Sequence, residues 1–382
     1  MKILYLAPDP APAPKGAAVR IARTLATLTQ LGHEVQVLTT AGRDDTRLEG
    51  VTHDTVRLDQ ENFLQRMLAF RAAAADWLRG RRADLVQFRS IWEGLPAVQW
   101  AREGGARSVY EAHGFPSIEL PYHFPELARS PALLHKLIRE EGTLLGRADL
   151  LITPSQTGAR YLHSRAVAPH DVAVVPNAVD PALFSPGPGA PDATVPLRLV
   201  YVGTLAPWQG LPLLLEALAR LRSEAIELHV VGPARRVWRS SLRRLARRCR
   251  VHHLLHLSRA TDQADLVPLL RTAHVCVAPL PADARNAVQG CCPLKVIEYM
   301  AVGRPILATR IAPLEELLQH EHDAWLAEPG SPLALAEGLA WMRDHPEERE
   351  VLGRRARETV LARFGPQHFV QTLEHALARV VG

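Results

Sequence analysis

Cysteine, aromatic residues and long apolar runs are all scarce in this sequence of 382 residues. The four cysteines, Cys249, Cys276, Cys291 and Cys292, show no spacing typical of a metal site, and two adjacent cysteines do not suggest an ordinary structural disulfide. Such a chain fits a reducing compartment, so we predict a cytoplasmic location. No segment approaches the roughly 18 uninterrupted apolar residues that a membrane-spanning helix requires.

Aromatic residues make up 5% of the chain, and it contains neither zinc-finger spacing nor an aromatic-rich RNA-binding strand. We therefore predict no nucleic-acid partner. The Gly-x-Ser-x-Gly elbow of many hydrolases and the His-Glu-x-x-His motif of metalloproteases are also missing. A formal net charge of +5 permits anionic partners but does not identify one.

The composition that is present is globular, since 47% of the residues are hydrophobic and 22% are charged. A chain of this length exceeds what one hydrophobic core normally supports, so we expect two domains of roughly 150–200 residues. The sharpest change in composition, rich in proline and glycine, occurs at 184–196, which we interpret as a linker. It separates a domain at 1–183 from a domain at 197–364, and residues 365–382 are predicted to form a final helix.

Both predicted domains begin with the same order of elements. An apolar strand at 2–7 leads through a loop and a helix to a second strand at 34–40. A strand at 197–202, a helix at 211–221 and a strand at 226–231 then repeat this order. The repetition predicts an α/β fold class with two Rossmann-like doubly wound domains.

The segment 290–305 combines helix signals with candidate chemistry. Pro293 suits the first position of a short helix, and Gly303 suits the left-handed cap at its end. Lys295 then lies in the first turn, where a cation opposes the helix dipole at a cost of roughly 0.3–1 kcal/mol, so we predict that a phosphate binds there. Glu298, one turn later, can reach hydroxyl groups beside that anion. The alternative is a surface lysine and a solvated glutamate on an ordinary amphipathic helix.

Two residues of the first domain are weaker candidates. His113 follows the end of a predicted strand, which is where open α/β sheets bind ligands, and it can donate to a sugar hydroxyl. The alternative is a loop histidine without a role. Gly16, at the start of a helix, lets backbone amides approach a phosphate, but it lacks the three-glycine dinucleotide fingerprint and also fits a simple tight turn.

A strongly basic segment spans 235–250, with eight arginines and no acidic residue. Its apolar residues Trp238, Leu242, Leu245 and Cys249 share one stripe, which predicts an amphipathic helix. Its arginines either are solvated around a docked helix or attract anionic lipid headgroups.

Taken together, the order and spacing of several motifs resemble the GT-B glycosyltransferases, specifically the large retaining family 4. The resemblance covers nearly the whole chain. It depends on Gly16, 32–35, His113 with Gly114, 176–180 with Phe184, 201–210 and 294–305. It implies two Rossmann-like domains that face each other across a cleft. The acceptor would bind mainly the N-terminal domain and the nucleotide-sugar donor mainly the C-terminal domain, while the final helix would cross back to the N-terminal domain.

The resemblance also assigns roles to single residues. Glu298 matches the second member of the family's glutamate pair and would hold the ribose hydroxyls, whereas Gly290 stands where the first glutamate is usual. Thr204 and Gln209 stand where the family commonly has the arginine and lysine that neutralise the diphosphate. Lys295 is predicted to replace one of these missing charges.

Arg285, in the preceding loop, is a second candidate for that role. His113 matches a histidine that contacts the donor sugar, and Gly16 would let the backbone close on the phosphates. The catalytic residues predicted in this way are His113, Lys295 and Glu298. The predicted donor-binding residues are Gly16, Gly203, Thr204, Gln209, Arg285, Leu294, Lys295, Val296 and Glu298.

The reaction implied by the resemblance is transfer of a sugar with retention of its anomeric configuration. The donor would be a UDP-, GDP- or ADP-sugar, and the acceptor a glycan or a lipid-linked molecule, as in cell envelope polysaccharide synthesis. We expect no cofactor and no metal, because the sequence offers no carboxylate pair suited to a magnesium diphosphate. A peripheral contact with the inner face of an anionic membrane would bring the enzyme to a lipid-linked acceptor. The alternatives are a catalytically inactive nucleotide-sugar-binding protein and a nucleotide-sugar epimerase of the same fold.

Overall fold

The computed structural model describes residues 1–13, 15–42, 47–165, 171–187, 189, 196–221, 225–259 and 264–381. The chain divides into two compact units, Met1–Pro176 with Val370–Gly382, and Asn177–Phe369. Of the linker predicted at 184–196, residues 188 and 190–195 lie outside the described residues.

The first unit is built on a parallel sheet. Its described strands are β1 (Lys2–Pro10), β2 (Glu34–Thr40), β3 (Thr52–Val56), β4 (Leu85–Phe88), β5 (Arg107–Glu111), β6 (Leu150–Thr153) and β7 (Asp171–Val174). They lie in the order β3-β2-β1-β4-β5-β6-β7, and every pair is parallel. The strand order reverses between β1 and β4, where a doubly wound sheet opens a crevice at its carboxyl edge.

Helices cover both faces of this sheet, which is why its central strands do not alternate between buried and exposed residues. All four residues of β4 and of β6 are buried. The helices are α1 (Gly16–Gln30), α2 (Phe63–Leu78), α3 (Ile91–Gly104), α4 (Pro116–His123), α5 (Pro131–Leu145) and α6 (Gln156–Arg165). Helix α3 begins at a capping box formed by Ser90 and Glu93.

The second unit repeats this architecture. Its described strands are β8 (Leu197–Val202), β9 (Ile226–Val231), β10 (Leu255–Ser258), β11 (Val275–Ala278), β12 (Ile306–Thr309) and β13 (Trp325–Ala327). They form a parallel sheet in the order β10-β9-β8-β11-β12-β13, with the reversal between β8 and β11. The predicted fold class, two Rossmann-like doubly wound α/β domains, is confirmed.

The helices of this unit pack in two hydrophobic clusters, one on each face of the sheet. They are α7 (Leu211–Leu221), α8 (Arg236–Arg248), α9 (Leu266–Arg271), α10 (Leu294–Val302), α11 (Ala312–Glu315), α12 (Pro332–Asp344) and α13 (Pro346–Arg363), and the unit ends with the start of α14 (Pro366–Val381). From Val370 onward, α14 belongs to the first unit. Among the described residues, no helix combines the length and the apolar character that crossing a membrane requires.

Two sequence predictions about helices can be compared directly with the structure. Gly303 caps α10 in the left-handed conformation, with φ of 71°, as predicted. Pro293 was expected at the first helical position but is the N-cap, because its ψ of 115° is extended. The basic segment forms α8, which buries Leu242 and Ala246 and leaves most of its arginines exposed.

Candidate functional site

Three loops meet closely at the carboxyl edge of the second sheet. Gly232, after β9, has φ of +151°, and a Cβ there would lie 2.1 Å from the carbonyl oxygen of Gly203, after β8. Gly210 has φ of +75°, and its Cβ would lie 1.6 Å from the carbonyl oxygen of Pro279, after β11. Only glycine permits such contacts, so these residues hold the loop 203–210 against its neighbours.

Lys295, in the first turn of α10, reaches this loop. Its Nζ donates to Oη of Tyr201 at 3.0 Å and also donates to Oε1 of Gln209. The same Nζ lies 4.2 Å from the centroid of the Tyr201 ring, a cation–π geometry. The Tyr201 hydroxyl is 2.9 Å from the carbonyl oxygen of Thr204 and 3.0 Å from Oε1 of Gln209. A Cβ on Gly203 would come within 3.3 Å of Nζ, so glycine leaves room for the ammonium group.

The hydrogen-bond partners of Lys295 are therefore neutral oxygens. Burial of the side chain, aided by Arg285 and opposed by Cys291 and Glu298, lowers the pKa of Lys295 from its ordinary 10.5 to about 7. Near neutral pH the ammonium is thus only partly charged. An anion bound beside it would stabilise the charged form.

Arg285 lies near this cluster, on one turn of π-helix at Ala284–Val288. Its guanidinium carbon is 5.2 Å from the centroid of the Trp208 ring. The neighbouring buried Asn286 donates to the carbonyl oxygens of Trp208 at 2.9 Å and of Pro281 at 3.1 Å. These bonds tie the Arg285 segment to the loop that carries Gln209.

Three further donor-site candidates lie on α10. Glu298 is buried, one turn beyond Lys295, with 5% of its surface exposed. Val296 is fully buried in the hydrophobic core, and Leu294 packs against that core, so their side chains contribute to folding. Asn177, which belongs to the motif 176–180 but received no role from the sequence, donates to the carbonyl oxygen of Cys292 at 2.5 Å and anchors the loop that precedes the helix.

In the first unit, His113 belongs to a buried cluster centred on Glu111, the last residue of β5. His113 Nε2 lies 2.9 Å from Glu111 Oε1, and Arg20 Nε donates to the same oxygen at 2.7 Å. The other carboxylate oxygen accepts from the Tyr5 hydroxyl at 2.8 Å and from Gln87 Nε2 at 3.3 Å. This arrangement saturates the carboxylate with donors.

The surrounding charges and burial determine the protonation states of Glu111 and His113. Burial would raise the pKa of Glu111, but Arg20, His113 and Arg89 hold it well below its usual range. Burial, aided by Arg89, lowers the pKa of His113 to about 4 although Glu111 opposes the shift. Because ionised Glu111 only accepts hydrogen bonds, the proton of neutral His113 must reside on Nε2. The nitrogen left for a ligand is Nδ1, which accepts a hydrogen bond.

Arg89 links this cluster to the start of α1. Its Nη1 donates to the carbonyl oxygen of Ala17 at 3.0 Å, and its Nε lies 3.9 Å from Glu111 Oε2. Gly16 is the first residue of α1, and its N-cap residue, Lys15, makes no side-chain capping bond. The start of α1 is therefore held by an arginine that follows β4.

Several residues of these clusters, among them Arg20, Arg89 and Glu111, received no role from the sequence, and Tyr201 was noted only within the motif 201–210. A usable signal existed for two of them. Arg89 directly follows β4, whose four residues are all buried, and Glu111 ends β5, in which all residues after Arg107 are buried. A charge at the end of a buried strand requires a partner, which marks such positions for attention. Tyr201 within β8 and Arg20 within α1 carry no comparable local signal.

Comparison with known families agrees with this architecture. Residues 14–183 match the family model described as Glycosyltransferase Family 4, and residues 196–345 match the one described as Glycosyl transferases group 1. The two matches together cover most of the chain in the order that the two units follow. The chain belongs to the GT-B glycosyltransferases.

Two curated proteins illustrate its relatives. The putative colanic acid biosynthesis glycosyltransferase WcaL of Escherichia coli (strain K12) is 27% identical over 243 residues, which are 62% of this chain and 58% of that protein. The MMP alpha-(1->4)-mannosyltransferase of Mycolicibacterium hassiacum is 30% identical over 245 residues, which are 61% of this chain and 55% of that protein. The matched region is thus less than two thirds of either relative.

Solved structures share the fold along the whole chain. Sucrose-phosphate synthase from Thermosynechococcus elongatus has a TM-score of 0.83 at 18% identity, covering 100% of this chain and 99% of that one. Anabaena HepE in complex with UDP-glucose has a TM-score of 0.78 at 18% identity, covering 99% of both chains. At this identity the likeness shows the fold.

Proposed function

We propose that the protein transfers a sugar, with retention, from a nucleoside diphosphate donor to a glycan or lipid-linked acceptor of a cell envelope polysaccharide, without a metal or cofactor. The observation that carries this proposal is the Lys295 cluster, a half-buried cation held by neutral oxygens at the start of a helix. The relatives named for colanic acid synthesis and mannosyl transfer, and a structural neighbour solved with UDP-glucose, support the class of reaction.

In this proposal the donor diphosphate replaces Tyr201 and Gln209 as the partner of Lys295. A charge-assisted bond to phosphate is stronger than a bond to a neutral oxygen, so the exchange favours binding. The start of α10 adds the positive end of its dipole, and Arg285 supplies a second positive charge. Both also stabilise the charge that develops on the leaving diphosphate during transfer. Glu298 holds the ribose hydroxyls.

The first unit contributes the histidine. Nδ1 of His113 accepts a hydrogen bond from a hydroxyl of the donor sugar, and Glu111 fixes the ring for that role. We assign no protein nucleophile, and the leaving phosphate takes the proton of the acceptor. The first unit binds the acceptor and the second unit binds the donor.

A thermal-shift panel tests the donor site. Apo protein is heated with UDP, GDP, ADP and their sugar conjugates in the presence of EDTA, and one nucleotide should stabilise it. At ~100 times its dissociation constant, the ligand adds about 2.7 kcal/mol. Stabilisation by none of these ligands, or by a magnesium complex alone, contradicts the proposal.

Two variants locate the binding site. Glu298→Ala should weaken nucleotide binding while circular dichroism shows an intact fold. Glu358→Ala, an exposed glutamate on α13, is the matched control and should bind like wild type. A Glu298→Ala protein that unfolds would place this residue in a structural role.

The absence of the usual charges at Gly290, Thr204 and Gln209 favours one alternative, a protein that binds nucleotide-sugars without turnover. Donor labelled in its sugar separates the outcomes. Transfer of label to membrane lipid or glycan extract supports the transferase. Binding without loss of donor supports the inactive protein, and a changed sugar on intact donor supports an epimerase.

The basic helix α8 supports a peripheral contact with the inner face of an anionic membrane. The arginines of its third and fourth turns are exposed around the buried Leu242 and Ala246, so the helix presents positive charge while remaining docked. Such a contact would concentrate the protein where a lipid-linked acceptor lies.

A further inference from the structure

A cluster of potential metal ligands lies on the second sheet, in residues that the donor site does not use. Glu227 and His229 belong to β9, and His256 belongs to the edge strand β10. His256 pairs directly with His229 in the register of the two strands, and Glu227 shares the face of His229 because it is two residues away. One ligand atom from each side chain lies within 4.8 Å of the others.

The geometry of the cluster is already close to that of a coordination site. The rings of His229 and His256 are stacked, with centroids 4.6 Å apart and planes at 21°. His229 Nε2 is 3.1 Å from Glu227 Oε2. Tetrahedral bonds of about 2.1 Å place ligand atoms roughly 3.4 Å apart, so modest side-chain rotations suffice. In the part of the chain that the structure describes, this is the single convergence of three such side chains.

The surroundings leave the cluster accessible. Glu227 and His229 are half-buried and His256 is exposed, so a hydrated ion can reach all three. The nearest competing charge is Arg198 of β8, whose Nε lies 3.6 Å from Glu227 Oε2, longer than a hydrogen bond. This ion pair is partly exposed and therefore weak, so a divalent ion can displace it.

We propose that Glu227, His229 and His256 bind a divalent transition metal of the zinc type, with water completing the coordination. Two imidazoles and one carboxylate are a ligand set typical of Zn²⁺, and Co²⁺, Ni²⁺ and Cu²⁺ accept the same donors. Magnesium and calcium prefer oxygen ligands and do not suit the two imidazoles. The proposal is independent of sugar transfer, because none of the three residues belongs to the Lys295 cluster.

The consequence of binding is structural. Strand β10 has four residues and hydrogen-bonds to β9 alone among the described strands. A metal held by His256 on one strand and by His229 and Glu227 on the other would join the edge of the sheet to its interior. Binding should therefore slow the opening of β10.

The first test uses the full-length protein stripped with EDTA and titrated with Zn²⁺ against a colorimetric chelator. Wild type should bind one equivalent, and His229→Ala and His256→Ala should each lower the affinity by at least tenfold. His253→Ala, an exposed histidine in the preceding turn, is the matched control and should bind like wild type. Co²⁺ added to wild type should give the visible absorption of a tetrahedral site, which both cluster variants should lose.

Hydrogen exchange gives a second test that uses the wild-type protein alone, so it does not require the variants to fold. In wild type, Zn²⁺ should slow amide exchange in β9 and β10 and leave the Lys295 cluster unchanged. Equal zinc affinity in wild type and all three variants would overturn the proposal, as would unchanged exchange of β10 on zinc addition. Because His256 is exposed, His256→Ala should keep its fold and its nucleotide affinity, which separates a failure here from a failure of the transferase proposal.

Discussion

Each unit brings an ionisable side chain to the carboxyl edge of its sheet, but the two side chains are held in opposite ways. Glu111 receives hydrogen bonds from Arg20, Tyr5, Gln87 and His113, and its pKa is held low. Lys295 contacts two neutral oxygens, and its pKa is lowered to about 7. Burying a charge is costly unless it is paired. In the first cluster, residues of the folded chain pair the buried charge of Glu111. In the second cluster, the charge of Lys295 is paired only when an anion binds.

The two clusters therefore have different roles: the Glu111 cluster positions side chains, and the Lys295 cluster binds a ligand. A saturated carboxylate orients its neighbours and has no remaining capacity for a ligand. A desolvated cation beside displaceable neutral partners gains most from an incoming anion. Substitutions in the two clusters test this contrast, and the largest effect is expected at Glu111.

Glu111→Gln should be the most damaging substitution, because it keeps the shape of the side chain but leaves Arg20 and Arg89 buried without a carboxylate. Breaking a buried ion pair in this way lowers the free energy of unfolding by about 3–5 kcal/mol. Urea denaturation provides the measurement. The exposed Glu126→Gln is the control and should change stability little. A loss below about 1 kcal/mol in Glu111→Gln would mean that the cluster is not the paired core described here.

Lys295→Met should impair diphosphate binding and sugar transfer without lowering stability, because it removes a charge that no acidic side chain pairs among the residues that the structure describes. Losing a charge-assisted hydrogen bond costs about 1.5–3 kcal/mol, so transfer and diphosphate affinity should fall by roughly 10- to 150-fold. Nucleoside affinity should hold, and stability without ligand should hold or rise. The exposed Lys136→Met is the matched control. Unchanged transfer by Lys295→Met would shift the role to Arg285 or to backbone amides.

His113 offers a spectroscopic test of the first cluster. Since its pKa is lowered to about 4, the ring should stay neutral at all higher pH values, with the proton on Nε2. Long-range proton–nitrogen correlation spectra of labelled histidine distinguish the tautomers. In Glu111→Gln the preference should weaken. A proton found on Nδ1 in wild type would contradict the orientation assigned to the ring.

The smallest effect is expected for α8, because its arginines are exposed and screened by salt. Neutralising four of them should reduce sedimentation with anionic vesicles, and the difference from wild type should shrink as salt is added. The control carries Arg354→Gln and Arg355→Gln on α13. Equal recovery of the α8 variant and wild type would remove the membrane proposal. The four changes are Arg243→Gln, Arg244→Gln, Arg247→Gln and Arg248→Gln.

The sequence predicted the central strands well and the edge strands poorly, for a physical reason. Strands β1 and β8, predicted at 2–7 and 197–202, lie inside their sheets, and most of their residues are buried and apolar. Of the four edge strands described, β7 is predicted by the apolar pattern at 172–175, whereas β3, β10 and β13 were not predicted. Strand β3 is largely polar, and in β10 leucine alternates with histidine and serine over four residues. Strand β13 has three residues. Local sequence patterns of this kind are too weak to predict a strand.

The candidate site shows a similar limit. Lys295 and Glu298 could be found because a helix start and a helical turn are local features of sequence. The contact of Lys295 with Tyr201 joins residues 94 positions apart, and that of Arg20 with Glu111 joins residues 91 positions apart. Such pairs depend on strand order, which one sequence does not reveal.

The central claim is that Lys295 awaits an anion, and proton uptake on binding tests it most directly. With a pKa of about 7 in the free protein, Lys295 is mostly neutral at pH 8, and a bound diphosphate should raise that pKa and draw in a proton. Titration calorimetry at pH 8 in buffers of different ionisation enthalpy measures this uptake. The account predicts uptake of most of one proton by wild type and none by Lys295→Met. Equal uptake by the two proteins, or none by wild type, would contradict it.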